Sequence, residues 1–267
     1  MEIAIICVNY NSYNSLSKYL MSIERSIKYE GSRTKITVFI ADNSTNKQDF
    51  SSIYSGELPI KLFAFDNLGY FGGALGVYNR IKIDDYDYII ISNVDLILKE
   101  DFFSNLTDKN ISDQYGWIAP TILSKQDKRD MNPKIVKRYS KRKMRILRAM
   151  YKYPFLKKLY LSTFYNRKRT YTTDNNKECD IYAGHGAMFI MTKTFVEKNP
   201  KLDYPVFLYG EEIFVGEMVR QSGLKTLYCP SLVVYDEGHV STSTITSKKN
   251  RMYNVEALTY LINKYYE

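Results

Sequence analysis

The sequence predicts an α/β protein built on a mixed, mainly parallel sheet flanked by helices. Two observations carry this. Short β-branched runs alternate with stretches of helical periodicity, the pattern of βαβ units. Each of the first runs also ends in an Asn or an Asp, so polar groups gather where strands emerge.

In order, Ile3–Val8 reads as a first strand and ends in Asn9-Tyr10-Asn11. Leu16, Leu20, Ile23 and Ile27 then recur at helical spacing. Ile36–Ala41 is a second strand, ending in Asp42-Asn43-Ser44, and Ile60–Phe65 is a third, ending in Asp66-Asn67. Tyr88–Ile91 is apolar throughout, as in a strand buried on both faces. It runs into Ser92-Asn93-Val94-Asp95 before apolar Leu96–Leu98. Right-handed crossovers bring the carboxyl ends of such strands to one edge, where open α/β sheets bind ligands. Asn9, Asp42, Asn67 and Asp95 are expected to converge there. Singly, each is turn chemistry; four in succession read as a polar ligand site.

The loop Asn67-Leu68-Gly69-Tyr70-Phe71-Gly72-Gly73-Ala74-Leu75-Gly76 opens a helix expected to reach about Ile81. Its glycines either let backbone N–H groups approach an anion at a helix start or allow close helix–sheet packing. It is not a Walker A loop, lacking Gly-Lys-Ser/Thr, and it follows the third strand, not the first as in a dinucleotide fold.

Further on, Ile181–Met191 places Gly184 and Gly186 around His185 ahead of a short apolar strand. Glu211-Glu212 begins a helical stretch, Ile213 to Ser222, closed by Gly223. Two glutamates at a helix start either complement the helix dipole or form an acid–base pair. Leu232–Val234 is a strand running into Asp236, Glu237 and His239, and Lys248–Tyr266 is a closing helix with Val255, Leu258, Leu261 and Ile262 on one face. Ser241–Thr244 before it is expected to be a mobile loop.

The net charge of +9 resides in one segment. Residues 131–173 hold 14 Lys or Arg and no Asp or Glu, so the rest of the chain is net acidic. Helical pieces broken near Pro154 are expected there, with basic and apolar faces. That pattern suits an anionic membrane surface; it also suits a solvated arm packed on its own domain. Nucleic-acid binding ranks last, because no recognition motif accompanies the charge. Cys7, Cys179 and Cys229 show no paired or metal-ligand spacing, which suits a reduced, cytoplasmic setting. Met1 runs directly into Ile3–Val8 without a basic n-region, so no signal peptide is expected. No apolar run approaches the roughly 20 residues that span a bilayer.

The order of the pieces carries a resemblance. IICVNYN at 5–11, ADNS at 41–44, NLGYFGG at 67–73, SNVD at 92–95, GHGAMFI at 184–190 and FLYGEEIFVGEMVRQSG at 207–223 together resemble the family-2 glycosyltransferases, in particular the rhamnosyltransferase-like branch of bacterial polysaccharide assembly. The resemblance covers residues 3–123 and 179–241. It implies one GT-A domain over 1–267, a nucleotide-diphosphate sugar donor and a divalent cation, Mg²⁺ or Mn²⁺. By position, Asn9 and Tyr10 would line the nucleotide site, Asp42 would contact the base, and Asn67 and Gly69 would lie along the nucleotide. Asn93-Val94-Asp95 would fill the Asx-x-Asp motif, with Asp95 on the cation. Hard cations take oxygen ligands, and the diphosphate supplies several.

The resemblance also makes Glu211-Glu212 the acid–base pair, Glu-Glu where the family usually has Glu-Asp. Glu212 would be the general base and Glu211 a possible hold on the acceptor. The family's His after the last strand is replaced: either Asp236 is the second cation ligand, or a shifted loop presents His239. His185 is either an acceptor contact or a loop residue. The implied activity is inverting transfer from a UDP- or dTDP-sugar to a lipid-linked saccharide, at the inner face of the cytoplasmic membrane. Two alternatives stand beside it. Nucleotidyl transfer would want a basic residue in the loop 67–76, which has none; a scaffold that binds nucleotide-sugars without catalysis would dispense with Glu212.

Overall fold

The computed structural model describes residues 1–31, 33–126, 129–156, 177–238 and 246–266. Nine strands form one sheet: β1 (Glu2–Asn9), β2 (Lys35–Asp42), β3 (Ile60–Ala64), β4 (Tyr88–Asn93), β5 (Leu96–Leu98), β6 (Tyr115–Ser124), β7 (Cys179–Ile181), β8 (Met188–Thr192) and β9 (Lys225–Asp236). The strand order is β3-β2-β1-β4-β8-β6-β9-β5, with β7 pairing on β9. The expected parallel block is present: β1 pairs in parallel with both β2 and β4, and β2 with β3. Beyond β4 the sheet turns mixed. β8 runs antiparallel to β4 and β6, and β6 returns parallel to β9.

Strand β1 explains the centre. Residues Ile3 to Cys7 have no exposure at all, because neighbouring strands flank both edges and helices cover both faces. Each such aliphatic side chain stabilises the fold by roughly 1.5–3 kcal/mol. One face is covered by α1 (Tyr13–Glu30) and α3 (Phe102–Thr107), which contribute Leu16, Leu20, Ile23, Phe102 and Phe103. Gly31 ends α1 in the left-handed region (φ 81°), its N–H on the last carbonyls.

The other face packs against α2 (Tyr70–Tyr78), α4 (Lys141–Lys152), α5 (Lys193–Lys198), α6 (Glu211–Gln221) and α7 (Ser247–Tyr265). Helix α2 stops at Tyr78, short of Ile81. Strand β9 starts seven residues before the expected Leu232, and crosses Pro230 where its register with β6 shifts. Pro230 breaks the β-branched pattern that sequence reading relies on, and the shift accommodates it.

Helix α4 confirms a helical piece in the basic segment. Ser140 caps it by accepting from the Lys143 N–H at 3.2 Å. Its apolar face is used internally: Met144 is fully buried, and Leu147 and Tyr151 pack on the core. Residues 157–173 of that segment lie outside the described residues, as do His239 and Ser241–Thr244.

One buried charge ties the segment to α6. Glu217 has no exposure; it accepts hydrogen bonds from Arg138, from the Tyr182 hydroxyl at 2.7 Å and from Arg220 Nε at 2.9 Å. Arg138 also lies over the Tyr266 ring, 4.0 Å from its centroid. Removing one partner of such a group strands the others. Glu217→Ala is expected to cost about 2–4 kcal/mol, seen as a lower denaturation midpoint; a change under about 0.5 kcal/mol would mean that the arginines find water instead.

Candidate active site

The strand ends do meet, through a hydrogen-bonded floor. Asn9 and Asp42 are register partners on β1 and β2, and Asn9 Nδ2 donates to Asp42 Oδ1 at 3.1 Å. Asp42 also accepts from the Tyr13 hydroxyl at 2.8 Å and from the Ser44 N–H at 3.2 Å. Three donors thus occupy a carboxylate that is 3% exposed. Asn9 and Asp42 are not among the residues lining the cavity above; they fix the loops that are. Tyr10, which follows Asn9, does line it.

That cavity has a volume of about 640 Å³, the size of a small-ligand site. Three of the segments that build its wall carry the residues singled out in the sequence motifs. Asn67, Gly69 and Tyr70 come from the glycine loop, Asn93, Val94 and Asp95 from the turn after β4, and Glu211 and Glu212 from the start of α6. The glycine loop is held by Asn67, whose side chain accepts from the Gly69 N–H at 3.0 Å, and by Asn43 Nδ2 donating to the Gly69 carbonyl at 2.8 Å. Gly69 has φ 76°, and a Cβ there would lie 1.9 Å from the Phe207 carbonyl oxygen. Only glycine permits that approach. The 93–95 turn is stitched on both sides: the Asn93 N–H donates to the Ala187 carbonyl at 2.9 Å, and the Glu237 N–H to the Asp95 carbonyl at 3.0 Å.

The glutamates are placed by two successive left-handed residues, Tyr209 (φ 72°) and Gly210 (φ 82°), which turn the chain into α6. Both carboxylates lean on Gly186, where a Cβ would lie 3.0 Å from Glu211 Oε1 and 3.1 Å from Glu212 Oε1. Burial, and then the charge of Glu212, push the Glu211 carboxyl up to about 8, against the opposing pull of Lys134. Burial and the adjacent carboxylate thus favour one proton held on the pair, with Glu211 the carboxyl pushed upward. His185 lines the cavity beside them, its Nδ1 accepting from the Ala187 N–H at 3.2 Å and its own N–H donating to Asn132 Oδ1 at 2.8 Å.

No family model matches the sequence, and no curated protein matches it. Solved structures do match the architecture. The chain aligns with Staphylococcus aureus TarS 1–349 in complex with UDP-GlcNAc at a TM-score of 0.58 and 10% identity, over 99% of this chain and 67% of that one. With GalNAc-T7 bound to UDP, GalNAc and Mn²⁺ the TM-score is 0.56 at 15% identity, over 95% of this chain and 48% of that one. The fold is GT-A. The chain spans about half the length of the GalNAc-T7 chain, and at such identities the shared property is the fold.

Within this GT-A sheet, eight of the residues singled out from sequence line one cavity: Tyr10, Asn67, Gly69, Asn93, Asp95, His185, Glu211 and Glu212. Asp236 does not. It sits opposite Leu96 in the β5–β9 ladder, with its carboxylate accepting from the Gly238 N–H at 2.8 Å. Among the described residues no three of His, Cys, Asp and Glu come together to hold a metal ion. Asp95 supplies one carboxylate oxygen donor of the kind a hard cation takes, and any further ligands from these described residues would have to be joined by others such as phosphate oxygens.

Sequence reading missed four contributors. Asn43 links two loops; Lys134 brings a cation from the basic segment; Asn250 and Tyr253 come from α7, Asn250 Nδ2 donating to the Tyr209 hydroxyl at 2.8 Å. Tyr70 was visible only as part of the glycine loop. Its hydroxyl is buried without a hydrogen-bond partner among the described residues, and burial, with Glu211, Asp95 and Glu212 nearby, pushes its pKa up. It is a neutral donor in a wall of carboxylates.

Two predictions follow from these electrostatics. Between the ordinary glutamate value of 4.5 and about 8, the folded state binds more protons at Glu211 than the unfolded state does, so this group's contribution to stability falls as pH rises. Glu211→Gln is expected to raise the melting temperature more at pH 8 than at pH 5; equal shifts at both would show a solvated carboxylate. Tyr70→Phe removes an unpartnered buried donor, which costs about 1–3 kcal/mol in such a position, and should leave the melting temperature unchanged or higher. A clear fall would reveal a partner for the hydroxyl.

Proposed function

We propose that the protein is an inverting glycosyltransferase moving one sugar from a UDP- or dTDP-sugar to a hydroxyl of a lipid-linked glycan. The observation that carries this is the convergence, in one GT-A cavity, of Asp95 at a strand end, a glycine loop at a helix start, and adjacent carboxylates at Glu211 and Glu212. The GT-A neighbours solved with UDP-GlcNAc, and with UDP and GalNAc, support the donor class. The ordered motifs of the sequence support the polysaccharide setting.

The residues divide the work by position. Tyr10 and Asn67 flank the donor nucleotide, and the α2 start, free of side-chain bulk at Gly69, faces its phosphates. Asp95 is the residue that would hold Mg²⁺ or Mn²⁺, and the cation, when bound, supplies Lewis-acid neutralisation of the diphosphate. Asn93 orients the turn. The acceptor oxygen attacks the anomeric carbon as the bond to the diphosphate oxygen breaks; the bond electrons leave with the diphosphate and the hydroxyl proton passes to a carboxylate. The role falls to Glu212, the second carboxylate of the pair, which the motif resemblance makes the base, while burial and the neighbouring charge push the Glu211 carboxyl toward its protonated form. Glu211 then donates a hydrogen bond to the acceptor or the sugar, and His185, across Gly186, lies on the acceptor side.

The experiment pairs binding with turnover. Melting of the wild type is followed with UDP-, dTDP- and GDP-sugars, with and without Mn²⁺, since a ligand of the folded state must raise the midpoint. Glu212→Gln should keep the donor-induced shift and lose turnover roughly 100-fold or more. A wild type indifferent to every donor, or a Glu212→Gln variant with full turnover, would overturn the assignment.

A further inference from the structure

The basic segment and the C-terminal helix, far apart in sequence, form one surface at the mouth of the cavity. Helix α4 packs along α7. Arg138, just ahead of α4, lies over Tyr266, just behind α7, so the two helices run antiparallel. The end of α4 is therefore beside the beginning of α7. Tyr151 neighbours Tyr209 there, and the Tyr209 hydroxyl accepts from Asn250. Lys249, Asn250 and Tyr253 of this corner line the cavity itself.

Large apolar side chains stand exposed at the same corner. Phe155 is 65%, Met252 60% and Tyr153 44% exposed, and the Tyr153 ring is tilted against that of Phe155, with centroids 6.2 Å apart. The hydrophobic face of α4 is already spent on Met144, Leu147 and Tyr151, so these residues are not its packing face. Cations surround them. Lys152 lies 5.4 Å from the centre of the Tyr153 ring, and Lys248, Lys249 and Arg251 open α7. No Asp or Glu occurs in residues 131–173 or 238–255. Exposed aromatic and thioether tips among the cations Lys152, Lys248 and Arg251 match one kind of surface: apolar chains below a layer of anionic headgroups.

We propose that this corner docks the protein on an anionic lipid surface, seating Phe155, Tyr153 and Met252 at the acyl boundary and turning the mouth of the cavity toward the membrane. A soluble polyanion would use the cations but leave the apolar tips in water, so it is the less complete fit. Docking explains how a lipid-borne hydroxyl would reach Glu212. It deepens the transfer reading, yet its measurement needs neither donor nor acceptor, so either can fail alone.

The test is co-sedimentation with vesicles of phosphatidylcholine alone and of phosphatidylcholine with one quarter phosphatidylglycerol, at about 0.15 M salt, where the Debye length is about 8 Å. The wild type should bind only the anionic vesicles. Each basic residue near such a surface is worth roughly fivefold in partition. A Lys152→Gln, Lys248→Gln, Arg251→Gln variant, which spares the cavity, should therefore lose about 100-fold. A Tyr153→Ser, Phe155→Ser, Met252→Ser variant should lose at least about tenfold. Melting curves of both variants should stay close to the wild type, since the altered side chains are exposed apart from half-buried Arg251. Equal binding to both vesicles, or unchanged binding by either variant, would overturn the proposal. So would displacement from vesicles by polyphosphate with the serine variant unaffected, which would mark the corner as a polyanion site.

Discussion

The site depends on one contact that side chains could not make. Gly69 meets the Phe207 carbonyl at a distance that no Cβ allows, bringing the loop after β3 against the loop before α6. These loops carry the two halves of the proposed chemistry, the donor side and the acid–base side. Asn43 secures the first loop from beneath and the Tyr204 hydroxyl secures the second, donating to the Tyr209 carbonyl at 2.6 Å. The cavity is thus held by backbone-to-backbone proximity, and its shape does not rely on long flexible side chains.

Electrostatics then distinguish two chemically similar carboxylates. Glu211 and Glu212 share the first turn of α6, a favourable place for negative charge. Burial opposes that benefit, and each charge raises the cost of the other. One proton held by the pair eases the conflict, leaving a donor and an acceptor side by side. Lys134 moderates the effect from the basic segment, and Tyr70 adds a second neutral donor. A hydroxylated ring, which both donates and accepts, is the ligand group that such a mixed wall satisfies best.

What the sequence disclosed follows from the locality of the signals. The parallel block was legible because apolar runs ending in Asn or Asp repeat at βαβ spacing, and Asn67, Asp95 and the glutamate pair fell in the cavity as expected. Strand β6 and the early part of β9 were not, since proline at 120 and 230 breaks their pattern and their pairing is long-range. Asp42 was expected to contact the base; it does not line the cavity, and its carboxylate collects Asn9, Tyr13 and Ser44 beneath it. Lys134, Asn250 and Tyr253 carry no local mark at all. They reach the site only because α4 and α7 pack antiparallel beside it. The sequence left the basic segment open between a membrane-facing surface and an arm packed on its own domain; in the structure, Met144 and its neighbours on α4 are domain core.

That last feature bears on how the chain divides into modules. By charge, residues 131–173 resemble a cassette that could be trimmed or exchanged. Yet Asn132 holds the His185 backbone, Lys134 faces Glu211, and Arg138 neutralises Glu217 on the very helix that presents the glutamates. The separable part therefore begins no earlier than the Ser140 cap. A chimera joined upstream of it would exchange a surface and dismantle the helix that carries Glu211 and Glu212 at the same time.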